Sequence, residues 1–98
     1  MSNSYTHFVT ASPELLDKYI RKEELKNFYS EEKSNTSGYK TVCLHGPSIL
    51  GDYIEEMVEE NKDAKYILWQ YHSSDPNLYD GEWFYEIRDG KEKEWHKE

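Results

Sequence analysis

Pro47-Ser48-Ile49-Leu50-Gly51-Asp52-Tyr53-Ile54-Glu55-Glu56-Met57-Val58-Glu59-Glu60 carries two stripes at helical spacing. Ile49, Leu50, Tyr53, Ile54, Met57 and Val58 recur on one face, while Asp52, Glu55, Glu56, Glu59 and Glu60 occupy the other. The stretch reads as an amphipathic helix whose apolar face needs a sheet to lie on. The acids gain nothing from one another, because Asp52/Glu56, Glu55/Glu59 and Glu56/Glu60 are like-charge pairs four apart, each costing about 0.2–0.5 kcal/mol. Such a ridge is either plain solvated surface or a surface shaped for a basic partner.

The chain on either side supplies the sheet. Residues 4–10, Ser-Tyr-Thr-His-Phe-Val-Thr, are β-branched and aromatic and end at Ser12-Pro13-Glu14, an N-cap, an N1 proline and a first-turn acid. Leu15, Leu16, Tyr19 and Ile20 make a helical apolar face that two glutamates interrupt before Leu25, Phe28 and Tyr29 resume it, which places a bend or break near Lys22. Residues 30–38 contain nothing apolar and read as an exposed loop. Residues 39–45 form a second strand closed by Gly46-Pro47.

After the acidic helix, residues 61–64 break the pattern and residues 66–72 are apolar on both alternating faces, as in a central strand. Residues 73–81 are turn-rich, and residues 83–88 run into Asp89-Gly90, a strong hairpin signal, before returning as residues 91–96. A two-residue turn there sets Glu86 opposite Lys93 and Phe84 opposite Trp95, and turns Trp83, Tyr85 and Ile87 toward the core. The predicted order is β-α-β-α-β-β-β. It describes a single α+β domain over residues 1–98, a mostly antiparallel sheet of about five strands with two helices on one face.

Composition narrows the function. With 98 residues there is room for one core and for function on its surface, and 15% aromatic residues provide burial enough to fold. The net charge of -8 is confined to residues 48–86, where ten acids face only Lys62 and Lys65; acids and bases cancel in residues 1–47 and again in 87–98. A field so one-signed steers basic partners and argues against binding nucleic acid or an anionic membrane. Cys43 is the only cysteine, so no internal disulfide framework forms, and the start of the chain lacks a charged segment followed by an apolar run. These features predict a cytosolic protein, and no stretch approaches the roughly 20 apolar residues of a membrane span.

Catalytic constellations are weak. His7, His45, His72 and His96 fall in different strands without metal-ligand spacing, so no metal or cofactor is expected. Cys43 beside His45 and the Gly46-Pro47-Ser48 turn offer the alternative of a small enzyme or nucleotide-binding module, yet residues two apart on a strand share a face without being aligned for proton transfer. Cys43 then reads as an ordinary buried thiol. Trp83-Phe84-Tyr85 lacks the basic surroundings of a single-strand binder and reads as core.

From Pro13 onward, five features fall in one order: a helix, the strand Lys40-Thr41-Val42-Cys43-Leu44, the run Ser48-Ile49-Leu50, the paired acids Glu55-Glu56 and Glu59-Glu60, and the strand Tyr66-Ile67-Leu68. The hairpin Trp83-Phe84-Tyr85-Glu86-Ile87-Arg88-Asp89-Gly90-Lys91 closes the series. This order and spacing resembles the phage uracil-DNA glycosylase inhibitors, with Pro47 where the family has an acid and residues 4–10 as an additional strand. The resemblance implies a non-enzymatic, DNA-mimicking inhibitor, phage-encoded and acting in the host cytosol. It also implies an edge strand that enters the enzyme's DNA groove and an apolar pocket between helix and sheet that captures an apolar side chain. Carried over, the edge segment is Ser48, Ile49 and Leu50, and the phosphate-like acids lie among Glu55, Glu56, Glu59 and Glu60, with Asp52 on the same ridge. The implied partner is the basic groove of a DNA-processing or defence enzyme, with uracil-DNA glycosylase the named target. An anti-defence or immunity-type protein masking another enzyme is the alternative.

Overall fold

The computed structural model describes residues 4–34, 37–78 and 80–98. The expected loop at Asn35 and Thr36, and the part of the 73–81 connection at Tyr79, lie outside the described residues. Strand β1 spans Ser4–Ala11. Ser12 ends it and caps α1, Pro13–Tyr19, its Oγ accepting from the Leu15 N–H at 3.4 Å while Pro13 presets the first turn. The helix stops where the Leu16 carbonyl accepts from both Ile20 and Arg21. A 3-10 turn, Glu23–Leu25, then leads into β2, Tyr29–Glu32. The remaining elements are β3 Lys40–Pro47, α2 Leu50–Glu59, β4 Tyr66–Ser73, β5 Glu82–Arg88 and β6 Lys91–Lys97.

The described residues form an α+β fold with one antiparallel sheet of six strands, in the order β2-β3-β1-β4-β5-β6. The expectation of about five strands is corrected by β2, which the apolar pattern missed because Ser30, Glu31 and Glu32 are exposed on a four-residue edge. Edge strands tolerate such charge, since their pairing rests on backbone bonds to one neighbour. Arg21 holds this edge further, donating to Glu31 at 2.6 and 3.0 Å. The break near Lys22 is present, but Phe28 and Tyr29 do not resume a helix. Phe28 packs over Gly46 and Tyr29 opens β2.

One face of the sheet makes the core. Val9, Val42, Leu44, Ile67 and Ile87 are fully buried against Leu16 and Ile20 of the first helical segment and against Leu50, Ile54 and Met57 of α2. The hairpin has the expected register, Glu86 opposite Lys93 and Phe84 opposite Trp95. Its turn places Asp89 at φ 52 and Gly90 at φ 77, the two positive values that a two-residue turn between twisted strands requires.

Of the aromatic tripeptide, only Tyr85 joins the core. Trp83 shares its face but lies beyond the reach of the helices, 39% exposed and stacked on His96 at 3.9 Å. Phe84 points to the opposite face and stacks on Trp95 at 5.0 Å. That opposite face carries Phe8, Gln70, Phe84 and Trp95 in one row across the strands.

Candidate functional site: the acidic face of α2 and the cleft beside it

The two stripes of the opening stretch separate as their periodicity requires. Leu50, Ile54, Met57 and Val58 are buried, whereas Asp52, Glu55, Glu56, Glu59 and Glu60 are all exposed. Ile49 leaves the apolar stripe: it stands at the N-cap, 58% exposed. The acids differ in what they have already met. Glu60 accepts from the Tyr19 hydroxyl at 2.6 Å on the α1 flank, and Glu59 lies 3.5 Å from Lys62.

Lys62 is itself drawn away, contacting Glu92 and donating to the Tyr85 hydroxyl at 3.2 Å, so it neutralises little of the ridge. These bonds, the one to Glu92 first, push the Lys62 ammonium above its usual range, and Lys62 pulls the Glu92 carboxyl below its own. Asp52, Glu55 and Glu56 form no ion pair among the described residues.

The segment Ser48-Ile49-Leu50 is not an edge strand, contrary to the resemblance. β3 ends at Pro47, which has no N–H to extend a ladder, and the chain turns at Ser48 and Ile49 into α2. Nor is β3 an edge, because β1 pairs along its whole length and β2 covers residues 41–44. Ser48 and Ile49 remain available to a partner, but Leu50 is 1% exposed and belongs to the core.

Beside the first turns of α2 a cleft of about 270 Å³ opens toward β1 and β4. The rings of Tyr5, His7, Trp69 and Tyr71 form its floor, and Asp52 and Glu55 stand on its rim. Strand alternation puts Tyr5 and His7 on one face, likewise Trp69 and Tyr71, and the β1–β4 register sets His7 opposite Tyr71. Trp69 and Tyr71 lie 5.1 Å apart between centroids.

The Trp69 indole donates to His7 Nδ1 at 3.0 Å, so the His7 proton sits on Nε2, which is buried without a partner among the described residues. Burial, helped by His72, pushes the His7 pKa down to about 4 and keeps the ring neutral. A second groove of about 410 Å³, with Trp83, Tyr85 and Glu94 in its walls, continues from Trp69 and Tyr71. The resemblance implies an apolar pocket between helix and sheet. The apolar residues there are consumed by the closed core, and the opening left over is aromatic and acid-rimmed.

The alternative chemistry around Cys43 is not assembled. His45 Nδ1 contacts Thr6 Oγ1 at 3.0 Å and Ser74 Oγ at 3.3 Å, not the thiol. Burial and the nearby Glu32 raise the Cys43 pKa, which disfavours the thiolate. Gly46 serves packing rather than an anion cradle, since a Cβ there would stand 2.8 Å from Phe28 and 2.9 Å from Leu50. Among the described residues no group of His, Cys, Asp and Glu converges as a metal site, and no helix is long and apolar enough to cross a membrane.

No family model, no curated protein and no solved structure matches this chain. Sequence reasoning named every acid of the ridge but missed Tyr5, His7, Trp69 and Tyr71. The i, i+2 aromatic pairs in two strands were the available signal, and their meeting depends on β1 lying beside β4.

Proposed function

We propose that this protein is a non-enzymatic, DNA-mimicking inhibitor that seats the acidic face of α2 in the basic groove of a nucleic-acid-processing or host-defence enzyme in the cytosol, with uracil-DNA glycosylase the first candidate. The observation that carries this reading is the exposed trio Asp52, Glu55 and Glu56. These carboxylates stand without counter-ions among the described residues, in the part of the chain that holds all the net charge. Acids four apart on a helix are about 6 Å apart along its axis, comparable with phosphates along a nucleic-acid strand. A groove built to release counterions from DNA gains the same way from this ridge. Exposed Ser48 and Ile49, at the start of the same helix, extend the contact surface beyond charge alone.

The test is a uracil-excision assay with the protein added in stoichiometric amount. Inhibition that disappears in Glu55→Lys/Glu56→Lys supports the reading, and full enzyme activity with the wild-type protein excludes this target. Competition by duplex DNA for an enzyme captured from bacterial lysate then separates a DNA-mimicking inhibitor of another enzyme from an immunity-type protein that covers a different surface.

A further inference from the structure

The cleft beside α2 combines an aromatic floor with two carboxylates that form no ion pair among the described residues. We infer that it receives an arginine side chain of the protein partner, the guanidinium lying against the Trp69 and Tyr71 rings and pairing with Asp52 and Glu55. The inference rests on the reading that the partner presents a basic protein surface, and it names the side chain that enters.

Each part of the site favours a flat cation. Aromatic faces attract positive charge, more so when water is displaced, and guanidinium both stacks on rings and pairs with carboxylates where an ammonium acts as a point charge. Among the described residues no lysine or arginine lines the cleft. Lys62, the lysine closest in sequence to Asp52 and Glu55, is engaged on Glu92, and Lys22 lies over the Tyr53 ring. His7, neutral at pH 7, adds no repelling charge to the floor. Its Nε2–H is buried without a partner among the described residues, where buried donors are nearly always satisfied. A phosphate-bearing ligand meets only acids and rings here and is disfavoured.

The experiment follows the Trp69 indole N–H by NMR while the full-length protein is titrated with acetyl-Gly-Arg-Gly-amide, and in parallel with the citrulline peptide, which has the same shape without the charge. The arginine peptide is expected to shift this resonance saturably and the citrulline peptide to leave it in place. Asp52→Asn/Glu55→Gln, both exposed positions, is expected to weaken the arginine peptide by about tenfold or more. Equal shifts by both peptides, equal binding to the double variant, or no shift at any soluble concentration of the arginine peptide would overturn the inference.

Because no enzyme is present, failure of glycosylase inhibition leaves this result standing. Gly51→Leu separates the two in the other direction, since it fills the cleft while keeping every ridge acid. If Gly51→Leu folds and inhibits the partner enzyme as the wild type does, the cleft is not the arginine site although the ridge reading survives. Loss of inhibition in that folded variant supports the cleft.

Discussion

The Trp69 indole N–H donates to His7 Nδ1 at 3.0 Å across β4 and β1, leaving His7 as a neutral ring whose buried Nε2–H has no partner among the described residues. Its folded-state pKa of about 4 lies below the ordinary 6.5 because burial penalises the charged ring, with His72 adding to the effect. Between those two values the unfolded chain holds a proton that the folded chain lacks. Stability therefore rises with pH through that window and is lost on acidification.

At about 1.4 kcal/mol per pH unit, this one group removes up to about 3 kcal/mol by the bottom of the window. Urea unfolding of the wild type and His7→Gln at about pH 4.5 and about pH 7.5 isolates it from the carboxylates. His7→Gln is expected to lose distinctly less stability on acidification. Equal losses in the two proteins would show that His7 does not carry the acid sensitivity.

Along α2, charge and stability part company. Asp52 and Glu56 are a like-charge pair four apart with no counter-ion among the described residues, so Glu56→Lys is expected to leave stability unchanged or raise it by about 0.2–0.5 kcal/mol. Glu60→Ala acts differently: it strips the Tyr19 hydroxyl of its acceptor and is expected to cost about 1 kcal/mol. If the proposed docking is right, Glu56→Lys also weakens partner binding and flattens its salt dependence. Unchanged affinity and salt slope in that variant would return the ridge to plain solvated surface.

Two glycines respond oppositely to alanine. At Gly51, inside α2, a Cβ would meet His7 and Trp69 at 3.7 and 3.9 Å, ordinary contact distances, so Gly51→Ala is expected to stabilise by about 0.5–1 kcal/mol through helix propensity. Gly81 has φ +109, and a Cβ there would fall 2.2 Å from the Lys97 carbonyl oxygen. Gly81→Ala is expected to cost at least about 3 kcal/mol and to loosen the β5–β6 end of the sheet. Thermal melts of the two variants should move in opposite directions.

Ile54 tests the other stripe of α2. It is fully buried between the helix and the sheet, and Ile54→Ala is expected to cost about 2–5 kcal/mol through the cavity it leaves. Chemical denaturation reads that loss directly. Where the variant remains folded, its affinity for a partner should stay near wild type, in contrast to Glu56→Lys.

The start of α1 and its break near Lys22, the alternation of the longer strands, the Asp89-Gly90 hairpin with its register, and the division of α2 into apolar and acidic faces were all legible in the chain alone. Each depends on neighbours a few residues apart, so the periods of 3.6 and 2 and the positive φ of a tight turn leave a local imprint. Tertiary structure alone decided that β1 sits between β3 and β4 and that the polar segment Tyr29–Glu32 becomes an edge strand, whereas the turn into a helix at Ser48-Ile49-Leu50 follows the local helical period and overturns only the edge strand that the resemblance implied.

It also decided which acids remain unpaired, since Tyr19 reaches Glu60 across the helix layer and Lys62 reaches Glu92 across to β6. The cleft is the extreme case, because Tyr5 and His7 meet Trp69 and Tyr71 only through pairing between strands some sixty residues apart. Such neighbours are chosen by the free energy of the whole sheet, where backbone bonds are alike for every strand order and the fit of the buried face selects one.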